Sequence, residues 1–87
     1  MVISPLPKRL KEEVRLAAKL SQRELGIAAG IDRFLATPRI NQYETGKHAP
    51  DFLTLKNLAE VLSVPTAFFY AEEDDLAEAI KYFVKHN

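Results

Sequence analysis

Arg39 and Gln42 are the residues of this 87-residue chain whose types and spacing suggest recognition chemistry. An arginine presents a planar fork of donors that suits the two acceptors of guanine, and a glutamine amide can pair with adenine. Three residues apart, the two share one face of a helix, with Asn41 set to the side. Arg, Asn and Gln are also ordinary occupants of a solvated helix surface, so the residue types alone leave both readings open. Gln22, Arg23, Lys47 and His48 suit phosphate, a contact that fixes position without reading sequence. For Arg23 and His48, simple exposure is an equal alternative.

Catalytic chemistry has little to draw on. The chain has no cysteine, which excludes a disulfide scaffold, a thiolate zinc site and a cysteine nucleophile together. Its two histidines, His48 and His86, lie on different elements, and no glycine-rich phosphate loop or His-x-x-x-His spacing occurs. The run Glu72-Glu73-Asp74-Asp75 lacks the alternating ligands and turn glycine of a calcium loop and reads as a helix start. The expectation is a non-enzymatic protein with no metal and no cofactor.

Composition is that of a globular chain, with 47% apolar residues. The longest apolar run, Ala67 to Ala71, is far short of the roughly 20 residues a membrane span needs. Met1 to Pro7 lacks the basic start and apolar stretch of a signal peptide. A cytoplasmic protein with no membrane contact is expected. The formal net charge is zero, yet it is unevenly divided. Residues 1–50 carry nine basic against five acidic side chains, and residues 51–87 carry three against seven. A basic half suits a polyanion, although helix-end preferences produce similar biases.

The elements that must position these residues are helical, because no segment alternates with strand period. A first helix starts near Pro7, with Leu10, Val14, Ala17 and Ala18 recurring on one face. Ser21 and Glu24 form a capping box that opens a second helix. Leu25, Ala28 and Ala29 line its inner face, and Gly30 is placed to end it. Asp32 can cap a turn carrying Phe34 and Leu35. Thr37 as N-cap, with Pro38 at the first helical position, opens a third helix that stops at Gly46. Ile40 and Tyr43 form its buried pair.

Asp51 caps a fourth helix with Leu55, Leu58, Ala59 and Leu62 inward, and Thr66 to Tyr70 makes a short aromatic turn of helix. The last helix bears Leu76, Ile80, Phe83 and Val84 as an apolar stripe. The fold class is all-α, a compact bundle of five or six short helices.

A short capped helix, a turn, and a second short helix with exposed polar residues make the layout of a helix-turn-helix. The segments Leu20-Ser21-Gln22-Arg23-Glu24-Leu25, Ala29-Gly30-Ile31, Ile40-Asn41-Gln42-Tyr43-Glu44-Thr45-Gly46-Lys47 and Leu58-Ala59-Glu60-Val61-Leu62-Ser63-Val64-Pro65 occur in that order. With Pro50 between the last two, they closely resemble the phage-repressor and Cro-type, or XRE-type, helix-turn-helix family. The resemblance spans about residues 8–70. It implies a lambda-repressor-like DNA-binding fold in a sequence-specific regulator of transcription, acting as a repressor on a double-stranded DNA operator.

By the same resemblance, Gln22 matches a glutamine that contacts a backbone phosphate. Thr37, Pro38, Arg39 and Gln42 fall on recognition-helix positions, with Asn41 ranked behind them, and Lys47 lies in a loop that meets the backbone. Arg15 and Glu44 match a pair that ties the first helix to the end of the third. The chain departs from the family between Gly30 and Ile40, where four residues are added. Two outcomes are open for the longer connection, a shifted angle of the recognition helix or an anchor to the core through Phe34 and Leu35, and it places Arg33 in a loop beside DNA as a further phosphate contact.

Residues 1–71 read as the helix-turn-helix domain and residues 72–87 as a C-terminal amphipathic helix. So short a helix is marginal alone in water, so its stripe must pack on something. The domain's own core, the same helix of another copy and a different protein are the three covers open to it. A homodimer through Leu76, Ile80, Phe83 and Val84 is favoured because it suits a reader of two half-sites about 34 Å apart. The alternative is an antitoxin-like interaction module whose main role is binding a protein partner.

Overall fold

The computed structural model describes residues 4–84, without the side chains of Val14, Phe83 and Val84. Chain order is α1 (Leu6–Lys8), a π-helical segment (Arg9–Arg15), α2 (Gln22–Ala28), α3 (Ala36–Thr45), α4 (Phe52–Leu62), a 3₁₀ segment (Thr66–Tyr70) and α5 (Asp74–Val84). No strand occurs among the described residues.

The first helix winds more widely than its sequence suggests. The Leu16 amide donates to the Lys11 carbonyl at 3.1 Å, a five-residue step. That winding brings Leu10 and Arg15 inward together, which α-helical winding would separate. The segment then ends in a turn over residues 16–19, so Ala17 and Ala18, expected on the inner face, are exposed.

Caps set the other boundaries. Ser21 and Glu24 make both bonds of the capping box. At the end of α2, Gly30 adopts a positive φ of 90° while its amide reaches Ile27 and that of Ile31 reaches Gly26, a Schellman closure. Asp51 Oδ1 accepts the Thr54 amide at 2.8 Å to open α4. The Glu24 carboxyl lies below the ordinary carboxylate range, held there first by the Ser21 amide and then by its hydroxyl. The Thr54 amide lowers Asp51 in the same way.

The start of α3 differs from expectation. Helix begins at Ala36 with Leu35 as N-cap and no side-chain cap, so Thr37 caps nothing and Pro38 stands third. The first four helical amides have no intrahelical partner, so a proline is tolerated there as readily as at the first position.

Leu10, Leu25, Ile40, Leu55, Leu58, Phe68 and Phe69 form the centre of the core, each at most 1% exposed. Phe68 and Phe69 meet edge to face with centroids 5.4 Å apart. Ala28 points outward, and Ala29 takes the inner position with Leu25. In α5 it is Ala77 that is buried, with Ile80 packed against the same core and Leu76 exposed.

Candidate nucleic-acid interface

α2 and α3 cross closely because Gly26 lets them. A Cβ on Gly26 would lie 2.6 Å from the Ala36 Cβ and 2.9 Å from its Cα. The approach fixes the angle at which α3 leaves the domain. The signal for it in the sequence was a glycine inside a helix, whose usual cost of about 1 kcal/mol needs a packing reason.

A buried polar cluster braces the same pair of helices. Arg15 Nη2 donates to Glu44 Oε1 at 3.0 Å, and Nε donates to Oε2, so the guanidinium grips the carboxylate with two bonds. Arg15 Nη1 donates to the Leu20 carbonyl at 3.0 Å, just ahead of the Ser21 cap. Gln22 Nε2 donates to Glu44 Oε1 at 2.9 Å. The Glu44 side chain is 1% exposed. One carboxylate therefore joins the end of the first helix, the start of α2 and the end of α3. Gln22, expected to face a phosphate, spends one amide hydrogen on this cluster.

With Ile40, Tyr43 and Glu44 turned inward, α3 presents Pro38, Asn41 and Thr45 outward at i, i+3 and i+7. Thr37 and Arg39 are exposed on its flanks. Gln42 is half-buried, so Asn41, ranked below it on sequence, is the more open of the two. Thr45 was missed by sequence reasoning; its hydroxyl donates to the Gln42 carbonyl at 3.3 Å and its position completes the outward line. Gly46 then closes the helix in the left-handed region, with the Lys47 amide on the Gln42 carbonyl at 2.9 Å. Arg23, Lys47 and His48 are exposed.

Arg9 and Arg15 are the buried cations among the described residues, and the other basic side chains of the first fifty residues are exposed. Ahead of α3, the turn from Asp32 to Leu35 is stitched by Asp32, whose Oδ1 accepts the Phe34 amide and whose carbonyl accepts the Leu35 amide, both at 2.9 Å. Phe34 is 81% exposed and Leu35 is 42% exposed, so of the two alternatives for this connection the anchor to the core is not the one adopted. Arg33 lies over the Phe34 ring, 5.4 Å from its centroid.

Leu76 stands exposed on α5, whereas Ile80 is half-buried on the domain's own core. The side chains of Phe83 and Val84 lie outside the described residues. No described helix is long and apolar enough to cross a membrane. Among the described residues no three acidic or histidine side chains gather as metal ligands would.

Two helices joined through a left-handed glycine, the second braced from behind and polar in front, define a helix-turn-helix. Residues 11–69 match the helix-turn-helix family model HTH_3, and the chain belongs to this XRE-type family. The crystal structure of the transcriptional regulator BswR is similar, with a TM-score of 0.83 and 46% sequence identity. That match covers 91% of this chain and 77% of the other. No curated protein sequence matches.

Proposed function

We propose that this chain is a sequence-specific, double-stranded DNA-binding regulator that acts as a repressor without a cofactor, α3 entering the major groove. The observation that carries this reading is the two-sidedness of α3: Glu44 is clamped by Arg15 behind it, while Pro38, Asn41 and Thr45 stand open in front. Such a helix is held rigid where a reader needs it and offers hydrogen-bonding groups where base edges lie. Thr37, Pro38, Arg39, Asn41 and Gln42 are the base-reading set, joined by Thr45. Gln22, through its second amide hydrogen, with Arg23, Arg33, Lys47 and His48, supplies the phosphate contacts.

A repressor of this kind binds as a homodimer on two half-sites. α5 is the pairing element in this reading, with Leu76 exposed for the contact. A protein-partner module in the manner of an antitoxin is the competing reading.

Selection of bound sequences from random duplex DNA at two salt concentrations separates them. An inverted repeat, blurred at particular bases by Arg39→Ala or Asn41→Ala with little change in salt slope, is expected. Only weak, sequence-blind binding would instead favour the protein-partner module. Sedimentation showing a monomer at high micromolar concentration, with and without the selected DNA, would remove the dimer.

A further inference from the structure

We propose that the turn from Asp32 to Leu35 is a second DNA-reading element: Phe34 packs on a thymine methyl at the edge of the half-site while Arg33 meets the neighbouring phosphate. This rests on the reading of α3 as the recognition helix. The turn lies between the closure of α2 at Gly30 and the first residue of α3, and its side chains from Asp32 to Leu35 are all exposed rather than absorbed by the core. At 81%, Phe34 is the most exposed large apolar side chain among the described residues. It is nevertheless held in place. Its own amide is tied to Asp32 Oδ1, the next amide to the Asp32 carbonyl, and the Arg33 guanidinium lies across its ring. A preorganised aromatic loses little freedom on binding, which makes it an efficient contact.

Position and charge indicate the occupant. Leu35 alone separates Phe34 from the first residue of α3, and the N-terminal end of a recognition helix is the end that reaches base edges. Arg33 and Arg39 flank the junction, and the first turn of α3 carries no acidic side chain. The acid of the turn, Asp32, has one carboxylate oxygen engaged by the backbone. A cation lying on an aromatic ring, with a second exposed arginine in the helix that follows, complements a polyanion with apolar methyls at its base edges. Phenylalanine against the thymine C5-methyl is an established form of such contact.

The test uses the whole chain and the duplex it selects, with each thymine replaced in turn by deoxyuridine, which lacks only the methyl. Wild-type protein should bind about fourfold more weakly when one particular thymine per half-site loses its methyl. Phe34→Ala, which removes the contact from both protomers, should bind the thymine duplex more weakly by about that factor at each half-site and ignore the replacement, and Phe34→Leu should recover part of the discrimination. Arg33→Ala, which removes one phosphate contact from each protomer, should lower the salt slope by about two and leave the methyl effect in place.

A methyl effect absent from wild type, or undiminished in Phe34→Ala, overturns the proposal. So does a Phe34→Ala variant that changes oligomeric state while keeping the wild-type base profile, since the ring would then be a contact between copies. Failure of wild-type protein to select any sequence removes the reading of α3 itself. Selection that Arg39→Ala blurs and Phe34→Ala leaves untouched removes the turn's role alone.

Discussion

Arg9 and Arg15 stand at opposite ends of the same π-helical segment, and both are buried. Arg15 is gripped by a carboxylate that is itself buried, and the pair fastens the helix-turn-helix. Arg9 fastens α5 and the segment before it by softer means. Its Nε donates to the Ala71 carbonyl at 2.8 Å and Nη2 to that of Glu72 at 3.3 Å, and it lies 5.8 Å from the Phe68 ring centroid. Its acidic partners, Glu13 at 2.8 Å and Asp74 at 3.3 Å, have side chains 30% and 74% exposed. Similar burial of the cation thus hides a difference in what is left behind when a partner goes. A buried charge without its partner is costly, whereas a solvated one is re-hydrated.

That difference can be broken from either side. Glu44→Ala strands Arg15 in the interior and should cost about 3–5 kcal/mol, read as a sharp fall in melting temperature; an unchanged melt would refute the clamp. Arg9→Ala strands only two carbonyls and carboxylates that water can reach. A smaller loss, about 2–3 kcal/mol by denaturant titration, is expected.

Gly26→Ala probes the packing that the Arg15 clamp serves. In an open helix this exchange stabilises by about 1 kcal/mol, but contact with the Ala36 backbone reverses the sign here. A destabilisation of about 1–3 kcal/mol is expected, with weakened binding of the selected duplex because α3 must tilt. Asp74→Asn removes the exposed partner of Arg9 and should change stability by no more than about 1 kcal/mol. A loss as large as that of Glu44→Ala would erase the contrast between the two arginines.

The smallest effect concerns the exposed caps that begin α2 and α4. Glu24 and Asp51 ionise at lower pH in the folded chain than in the unfolded one. Their contribution is therefore present above the ordinary carboxylate range and is lost as the pH falls through their folded-state values. Acid titration of wild type against Glu24→Gln and Asp51→Asn should show a shallower acid limb in each variant. Identical limbs would mean that the caps add no pH dependence.

Local signals were legible wherever the partner sits within a few residues. Ser21 with Glu24, Gly30, Gly46 and Asp51 each satisfy backbone groups at their own helix ends, so residue type and spacing suffice to place them. The Ile40–Tyr43 pair followed from helical period. The resemblance named Arg15 with Glu44, and the structure brings them together. Pro38 was placed as an N1 residue because the sequence does not say whether the amides before it are in helix. The inward expectation for Ala17 and Ala18 rests on an unbroken α period that the π winding and the turn over residues 16–19 do not keep, whereas in α2 it is Ala29, four residues from Leu25, and not Ala28 that takes the inner position.

The sequence by itself determined an all-helical chain and its main boundaries, because caps and apolar periodicity act over one or two turns, and its ordered motifs carried the resemblance to the XRE-type helix-turn-helix family. Only the tertiary structure decided which polar groups are buried. Arg9 meets carbonyls 62 and 63 residues away, and Gln22 meets a carboxylate 22 residues away. It also left Phe34 outside the core and Ile80 packed against it. Those outcomes depend on which surfaces meet once the helices close, and a charged or apolar side chain carries no local mark of the neighbour it will find.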